Sequence, residues 1–272
     1  MNQESRRNVR VAAVQMVSGP RVDDNLRTAA ALVADAAAQG AGVVALPEYF
    51  PIMGMSDGDK VRVREPDGRG PIQDWLAATA QRHGIWLIGG SIPLAGSDPD
   101  KVLNSSVVYA PDGSRAARYD KIHLFGFRKG AEQYNESATI EAGRTPVAFD
   151  TPFGRIGLSI CYDLRFPELY RSLGALDLIV VPAAFTETTG RAHWEILLRA
   201  RAIENQCYVL AIGQGGRHEN GRETHGNSML VDPWGTILDR KLKGPAVVIG
   251  DIDHAFIAET RASLPALQHR VF

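Results

Sequence analysis

Brief runs of almost wholly apolar residues recur from one end of this chain to the other, at residues 9–16, 42–46, 85–92, 154–160, 177–182, 207–213 and 247–252. Each is too short for a buried helix, and glycine, proline or polar residues bound it, so each reads as a strand covered on both faces. Between them lie segments with helical spacing. Residues 23–39 are rich in alanine and leucine and end at Gly40, residues 71–83 end at Gly84, residues 167–173 open on a proline, and residues 192–205 and 255–262 complete the set. Tight hairpins are also present. Pro-Asp-Gly separates strands 105–110 and 114–121, Thr-Pro-Phe separates 145–150 and 154–160, and Asp-Pro-Trp-Gly separates 229–231 and 236–240. Helical crossovers together with hairpins predict an α/β fold with mixed sheets. No linker or composition break divides the 272 residues, so one domain over 1–272 is expected. The longest stretch without a pattern, 125–144, reads as a functional or mobile loop.

The charge balance narrows the class of partner. With 30 basic and 31 acidic residues the net charge is -1, so neither nucleic acid nor an anionic membrane is favoured, and a small molecule is the expected ligand. Only Cys161 and Cys207 are cysteines, too few for a secreted disulfide scaffold. The first residues, Met-Asn-Gln-Glu-Ser-Arg-Arg, carry no apolar core of a signal peptide, and no apolar run approaches the ~20 residues that span a bilayer. A cytoplasmic location follows as the expectation.

Three positions carry chemistry. Cys161 follows an apolar strand and precedes Tyr-Asp-Leu-Arg-Phe-Pro-Glu, so it stands where a strand turns into a helix. A helix N-terminus lowers a thiol pKa and offers backbone N–H groups to an oxyanion, although a lone cysteine is commonly plain core. Cys207, at the head of an apolar strand, reads as core. Glu48 stands just past 42–46, where catalytic groups gather on α/β sheets and where burial would raise a carboxyl pKa toward that of a general base; a solvated loop acid is the alternative. Lys121 closes strand 114–121 and is a solvated lysine unless a pocket holds it. His193, His218 and His225 lie in separate segments and form no metal-ligand pair, and Gly213-Gln214-Gly215-Gly216 lacks the Gly-Lys-Ser/Thr of a phosphate loop.

Taken together, these segments resemble the carbon–nitrogen hydrolase (nitrilase) superfamily. The resemblance is carried by Leu-Pro-Glu-Tyr-Phe at 46–50, Tyr-Asp-Lys-Ile-His-Leu-Phe at 119–125 and Gly-Leu-Ser-Ile-Cys-Tyr-Asp-Leu-Arg-Phe-Pro-Glu at 157–168, and runs from about residue 9 to 269. It implies a four-layer α-β-β-α sandwich and a triad of Glu48 as base, Lys121 as oxyanion stabiliser and Cys161 as nucleophile. A second glutamate is implied on the loop after the lysine, with Glu136 the first candidate and Glu132 the alternative. The Tyr162 N–H would share the oxyanion, and Phe185 and Thr186 would line the pocket. Arg128 and Lys129 could meet a substrate carboxylate or be plain surface, and Arg165 could do so or pair with Asp163 or Glu168. No metal or organic cofactor is implied.

Ala-His-Trp-Glu at 192–195 and Arg-Ala-Arg-Ala-Ile-Glu-Asn-Gln-Cys-Tyr-Val at 199–209 resemble the branch of deaminated-glutathione amidases and omega-amidases, and the stretches 227–235 and 264–270 lean to the former. Asn227 departs from that pattern, where histidine is expected. The implied reaction is amide hydrolysis on a small carboxylate-bearing molecule, foremost deaminated glutathione. Omega-amidase action on 2-oxoglutaramate, N-carbamoyl-amino-acid hydrolysis and nitrile hydrolysis use the same three residues. A non-catalytic interaction protein on the same fold is the reading from another class. The family also implies a homodimer or larger homo-oligomer built from helices near 167–173 and 192–205.

Overall fold

The computed structural model describes residues 7–130 and 132–271. The chain enters through β1 (Val9–Gln15), crosses by α1 (Val22–Ala38) to β2 (Val43–Ala45), and passes a short α2 (Asp59–Arg62) and then α3 (Pro71–His83) on its way to β3 (Trp86–Ile88). Next come β4 (Ile92–Ala95), β5 (Val102–Tyr109), β6 (Arg115–Asp120), a hairpin of β7 (Gly126–Lys129) and β8 (Glu132–Asn135), and β9 (Ile140–Glu141). A second group follows: β10 (Ala148–Thr151), β11 (Gly154–Leu158), α4 (Pro167–Ser172), β12 (Leu178–Ala183), α5 (Glu187–Asn205), β13 (Tyr208–Gly213), β14 (Ser228–Val231) and β15 (Ile237–Lys241). Finally β16 (Ala246–Ile252) returns to the first group, and α6 (His254–Ser263) follows it.

Apart from the β7–β8 hairpin, which pairs only with itself, the strands of the described residues form two mixed sheets. One runs β16-β1-β2-β3-β5-β4, with β6 and β9 also paired to β5; the other runs β10-β11-β12-β13-β14-β15. Strands β1, β2 and β3 are parallel to one another, as are β11, β12 and β13, and the outer pairs are mostly antiparallel.

The layering follows from the alternation of side chains along a strand. In the first sheet Val11, Ala13, Val43, Ala45, Ile88 and Val108 pack with the strands of the second sheet. Their neighbours Ala12, Val14, Val44, Leu87 and Val107 point the other way, onto Ala29, Val33 and Ala36 of α1 and Ile72, Leu76 and Ala80 of α3. On the far side of the second sheet, Trp194, Leu198 and Ala202 of α5 join its core. Helix, sheet, sheet, helix is the resulting order. Both faces of each sheet are apolar, which is why the strands read as continuous apolar runs and not as alternating ones.

Several boundaries differ from the sequence expectation. Residues 85–92 are not one strand: the chain breaks after β3 at Gly89-Gly90 and re-enters the sheet as β4 on the far side of β5. Residues 125–144 are not patternless, since they hold the β7–β8 hairpin, a 3-10 turn at Glu136–Ala138 and β9. That hairpin is short and half-exposed, so it carries no run of core residues to betray it. Helix α5 begins five residues earlier than its apolar spacing suggests, because the Thr186 side chain caps it by accepting from the Thr189 N–H at 3.2 Å.

The break at Gly90 serves a purpose. Its φ of +51° is left-handed, and a Cβ there would lie 2.1 Å from the Pro47 carbonyl oxygen. The next residue, Ser91, donates its N–H to that same oxygen at 3.3 Å, and its hydroxyl accepts the Tyr49 N–H at 3.0 Å. Gly90 and Ser91 therefore cradle the segment on either side of Glu48. Gly90→Ala is expected to cost about 2 kcal/mol or more, from backbone strain and the clash combined, in urea unfolding. A change within about 0.5 kcal/mol would show that the close approach is not needed.

Candidate active site

Four side chains predicted from distant parts of the sequence converge where the two sheets meet. Glu48 follows the C-terminal end of β2 in one sheet, and Cys161 follows β11 in the other. Such strand ends are where open α/β sheets place their chemistry. The sheets are stitched together at this end. The Gly215 N–H donates to the Met16 carbonyl at 2.8 Å, and the buried Gln214 amide donates to the Ser18 hydroxyl at 2.8 Å and to the Glu48 carbonyl at 3.1 Å. The glycines of 213–216 thus have a structural reason: a Cβ on Gly213 would meet the Gly226 carbonyl at 2.7 Å. They permit backbone contact and form no phosphate loop.

Lys121 is fully buried. Its ammonium donates to Glu48 Oε1 at 2.9 Å and to both oxygens of Glu136 at 2.9 and 2.7 Å. Burial alone would drive the proton off, but the carboxylates of Glu136 and Glu48 outweigh it and hold the lysine pKa above its ordinary value. Glu136 in turn is kept below the usual carboxylate range: burial works against its charge, and Lys121, the Phe125 N–H at 2.7 Å and the Tyr49 hydroxyl at 2.9 Å overcome it. Glu132 points elsewhere and accepts the Thr188 hydroxyl at 3.0 Å. Glu48 is completed by the Asn104 amide at 3.0 Å on one oxygen and the Ala184 N–H at 2.9 Å on the other.

Cys161 has a φ of +52°, uncommon for a residue with a side chain, at the sharp turn between strand and helix. The turn is a 3-10 helix, Cys161–Arg165, whose first bond runs from the Asp163 N–H to the Ile160 carbonyl at 3.1 Å. The amides of Cys161 and Tyr162 stand ahead of that ladder and are free of it. Asp163, wholly buried, ties this turn to the lysine strand: it accepts the Ile160 N–H at 2.8 Å, the Tyr119 hydroxyl at 2.7 Å and the His123 N–H at 3.1 Å.

The thiol pKa runs against the sequence expectation. It is pushed well above the ordinary value, first by burial and then by the charge of Glu48, with Lys121 opposing. One 3-10 turn is too short to supply the dipole of a long helix, and burial beside a carboxylate dominates. This shift favours the neutral thiol over the thiolate. Cys207 is likewise buried core, with its thiol pushed up to about 12 by burial.

The cavity above Cys161 is lined by Tyr162, Arg165, Phe185, Thr186, Glu136 and Arg222, among others. Tyr162, Phe185 and Thr186 thus border it, whereas Arg128 and Lys129 do not: both lie exposed on β7, because that hairpin turns them to solvent. Arg165 does not pair with Asp163, whose oxygens are already taken. Its guanidinium approaches His193 Nδ1 at 3.2 Å and lies 5.6 and 5.4 Å from the Tyr162 and Phe185 rings. Asn227, in place of the expected histidine, is structural: its backbone carbonyl accepts the Trp194 indole at 2.8 Å and its side-chain oxygen accepts from Arg240 at 2.8 Å. Sequence reasoning missed Asn104, Tyr49, Asp163 and Arg222. Tyr49 and Asp163 lie inside the quoted motifs, one and two residues from the triad, whereas Asn104 and Arg222 gave no local signal.

Because the thiol pKa is raised, the thiolate fraction of Cys161 grows only above the ordinary thiol range of about 8.5. Its alkylation by iodoacetamide, followed by mass spectrometry, is expected to keep accelerating past pH 9. A plateau at neutral pH would show an ionised resting thiolate instead.

Known proteins resemble this chain over nearly its whole length. A carbon-nitrogen hydrolase family model matches residues 10–262. A Synechocystis protein named deaminated glutathione amidase is 42% identical over 267 residues, covering 96% of this chain and 97% of its own length. A Xenopus laevis protein named omega-amidase NIT2-B is 38% identical over 266 residues, covering 96% of this chain and 94% of its own. Among solved structures, Saccharomyces cerevisiae Nit3, described as a member of branch 10 of the nitrilase superfamily, matches with a TM-score of 0.87 at 30% identity, covering 98% of this chain and 97% of that one. The chain belongs to the carbon–nitrogen hydrolase family, and is a hydrolase of non-peptide carbon–nitrogen bonds.

Proposed function

We propose that this protein is an amidase that cleaves deaminated glutathione to 2-oxoglutarate and cysteinylglycine through a thioester on Cys161. The observation that carries the reading is the buried Lys121 ammonium held between Glu48 and Glu136 beside the Cys161 thiol. The similar proteins named deaminated glutathione amidase favour this substrate over others served by the same residues.

In the mechanism, Glu48 takes the Cys161 proton as sulfur attacks the amide carbon. A raised thiol pKa makes a stronger nucleophile once deprotonated, and the adjacent carboxylate supplies the base. The tetrahedral oxyanion is met by Lys121 and the Tyr162 N–H, donors of a kind that contribute ~3–4 kcal/mol each. Protonated Glu48 returns its proton to the amine, which leaves as the carbon–nitrogen bond breaks. Glu48 then deprotonates a water, the hydroxide attacks the thioester, and the sulfur leaves with the proton from Glu48. Glu136 keeps Lys121 aimed. Tyr162, Phe185 and Thr186 line the acyl pocket, and Arg165 at its wall suits a 2-oxo-acid carboxylate.

We further infer one catalytic domain over 1–272 and a homo-oligomer, since Ile196 and Ile203 of α5 are exposed, at 70% and 48%. Two buried, unpaired cysteines suit a reducing cytoplasm. Among the described residues no helix is long and apolar enough to cross a membrane.

Cys161→Ala is expected to abolish turnover, by about 10⁴-fold or more, without shifting the unfolding midpoint. Turnover near wild type would overturn the mechanism. Glu48→Gln is expected to abolish the acylation step in single-turnover kinetics, so an acylation rate near wild type would move the base elsewhere. Strong preference for a nitrile or an N-carbamoyl amino acid over deaminated glutathione, in a panel read by product release, would overturn the substrate.

A further inference from the structure

Next to the Cys161 pocket lies a larger cavity of about 340 Å³, which shares Phe125, Glu136 and Arg222 with it. Two cations in its wall have no adequate counter-charge. Lys60, on α2, is mostly buried, with its side chain 13% exposed. Its nearest carboxylate is Asp57 at 3.6 Å, itself 83% exposed, and its ammonium lies 5.5 Å from the Tyr49 ring. Burial pulls the lysine pKa down; Asp57 and Glu136 work against that fall, and Arg222 and Lys121 add to it. Arg222 gives one bond to the Ala184 carbonyl at 2.9 Å and rests 5.2 Å from the Tyr134 ring, and its buried Nε has no partner. Glu136 also faces this cavity, but Lys121, Tyr49 and the Phe125 N–H occupy its oxygens. Asn220 fixes the Arg222 loop to the segment leading into α2 by donating to the Gly54 carbonyl at 2.7 Å.

A cation drawn partly out of water costs free energy unless something negative answers it, so Lys60 and Arg222, each half-buried in the wall of one cavity, mark where an anion binds. The mechanism says which part of the substrate that anion belongs to. The acyl group remains on Cys161, against the tight pocket of Phe185 and Thr186. The leaving group must depart while the thioester persists, and so it belongs on the open side, where the larger cavity is. We propose that this cavity is the leaving-group subsite, in which Lys60 and Arg222 bind the terminal carboxylate of a peptide-like amine and so select a dipeptide leaving group over ammonia. This rests on the functional reading above, and makes Lys60 and Arg222 determinants of specificity, not of bond cleavage.

The test compares kcat/KM of wild type, Lys60→Met and Lys60→Arg on three substrates: deaminated glutathione, the same molecule with its C-terminal carboxylate converted to a carboxamide, and 2-oxoglutaramate. One charge-assisted contact is worth about ten- to hundredfold. Wild type is expected to prefer the acid over the carboxamide by such a factor. Lys60→Met should cut that preference severalfold through a rise in KM for the acid, Arg222 supplying what remains, with little loss on 2-oxoglutaramate, and Lys60→Arg should retain it. An unchanged acid preference in Lys60→Met, equal losses on all three substrates, or no preference in wild type would overturn the subsite while leaving the amidase reading intact. Wild type that hydrolyses 2-oxoglutaramate but not deaminated glutathione would overturn the functional reading and this subsite with it.

Discussion

A lysine ammonium sealed away from water is the constraint around which the rest of this molecule is arranged. Stripping such a group of solvent costs several kcal/mol unless opposite charge replaces the water. Lys121 finds that replacement in Glu48 and Glu136, which come from a strand end some seventy residues earlier and from a turn fifteen residues later. Each glutamate is then fixed by further donors, Asn104 and the Ala184 amide for the one, Tyr49 and the Phe125 amide for the other. The two carboxylates together outnumber the one ammonium. Burial first, and then that negative charge, raises the pKa of the Cys161 thiol.

The same arrangement explains why polar groups crowd an otherwise apolar joint between the sheets. Gln214 bonds Ser18 and the Glu48 carbonyl, and Asp163 bonds Tyr119, His123 and the Ile160 amide. Each of these buried groups is satisfied, so it adds geometric definition without the cost of an orphaned donor. The left-handed backbone at Cys161 and at Tyr49 is held in place by that network. Backbone strain of this kind persists only where the surroundings fix the conformation from several sides.

Much of this was legible in the sequence, for identifiable reasons. The apolar runs gave β1, β2, β11, β12 and β13, because strands buried on both faces leave no polar alternation to confuse the reading. Helices α1 and α3 showed their glycine stops. The β7–β8 hairpin escaped notice because it is short and solvent-facing, and β4 because a turn of two glycines sits inside an apolar run. At the site, Glu48, Lys121 and Cys161 were read as members of motifs, and Glu136 from its place on the loop after the lysine, with Glu132 as the alternative. Arg128 was chosen for its charge and its place on the loop, and only the direction of the hairpin removes it from the cavity. Arg222, which borders both cavities, lies beyond β13 in a stretch with no pattern that points to a ligand.

The sequence by itself determined the type of most elements, the family and the candidate residues of the site, since these depend on local periodicity and on short segments that are contiguous in the chain. The sense of the thiol pKa was decided only by the tertiary structure. A strand-to-helix turn read alone suggests an acidic cysteine, whereas packing one sheet against the other buries the sulfur beside Glu48 and reverses the shift. Which cations face the cavity was decided in the same way. Burial and electrostatic neighbours are properties of residues far apart in the chain, and folding alone brings them within a few ångströms of one another.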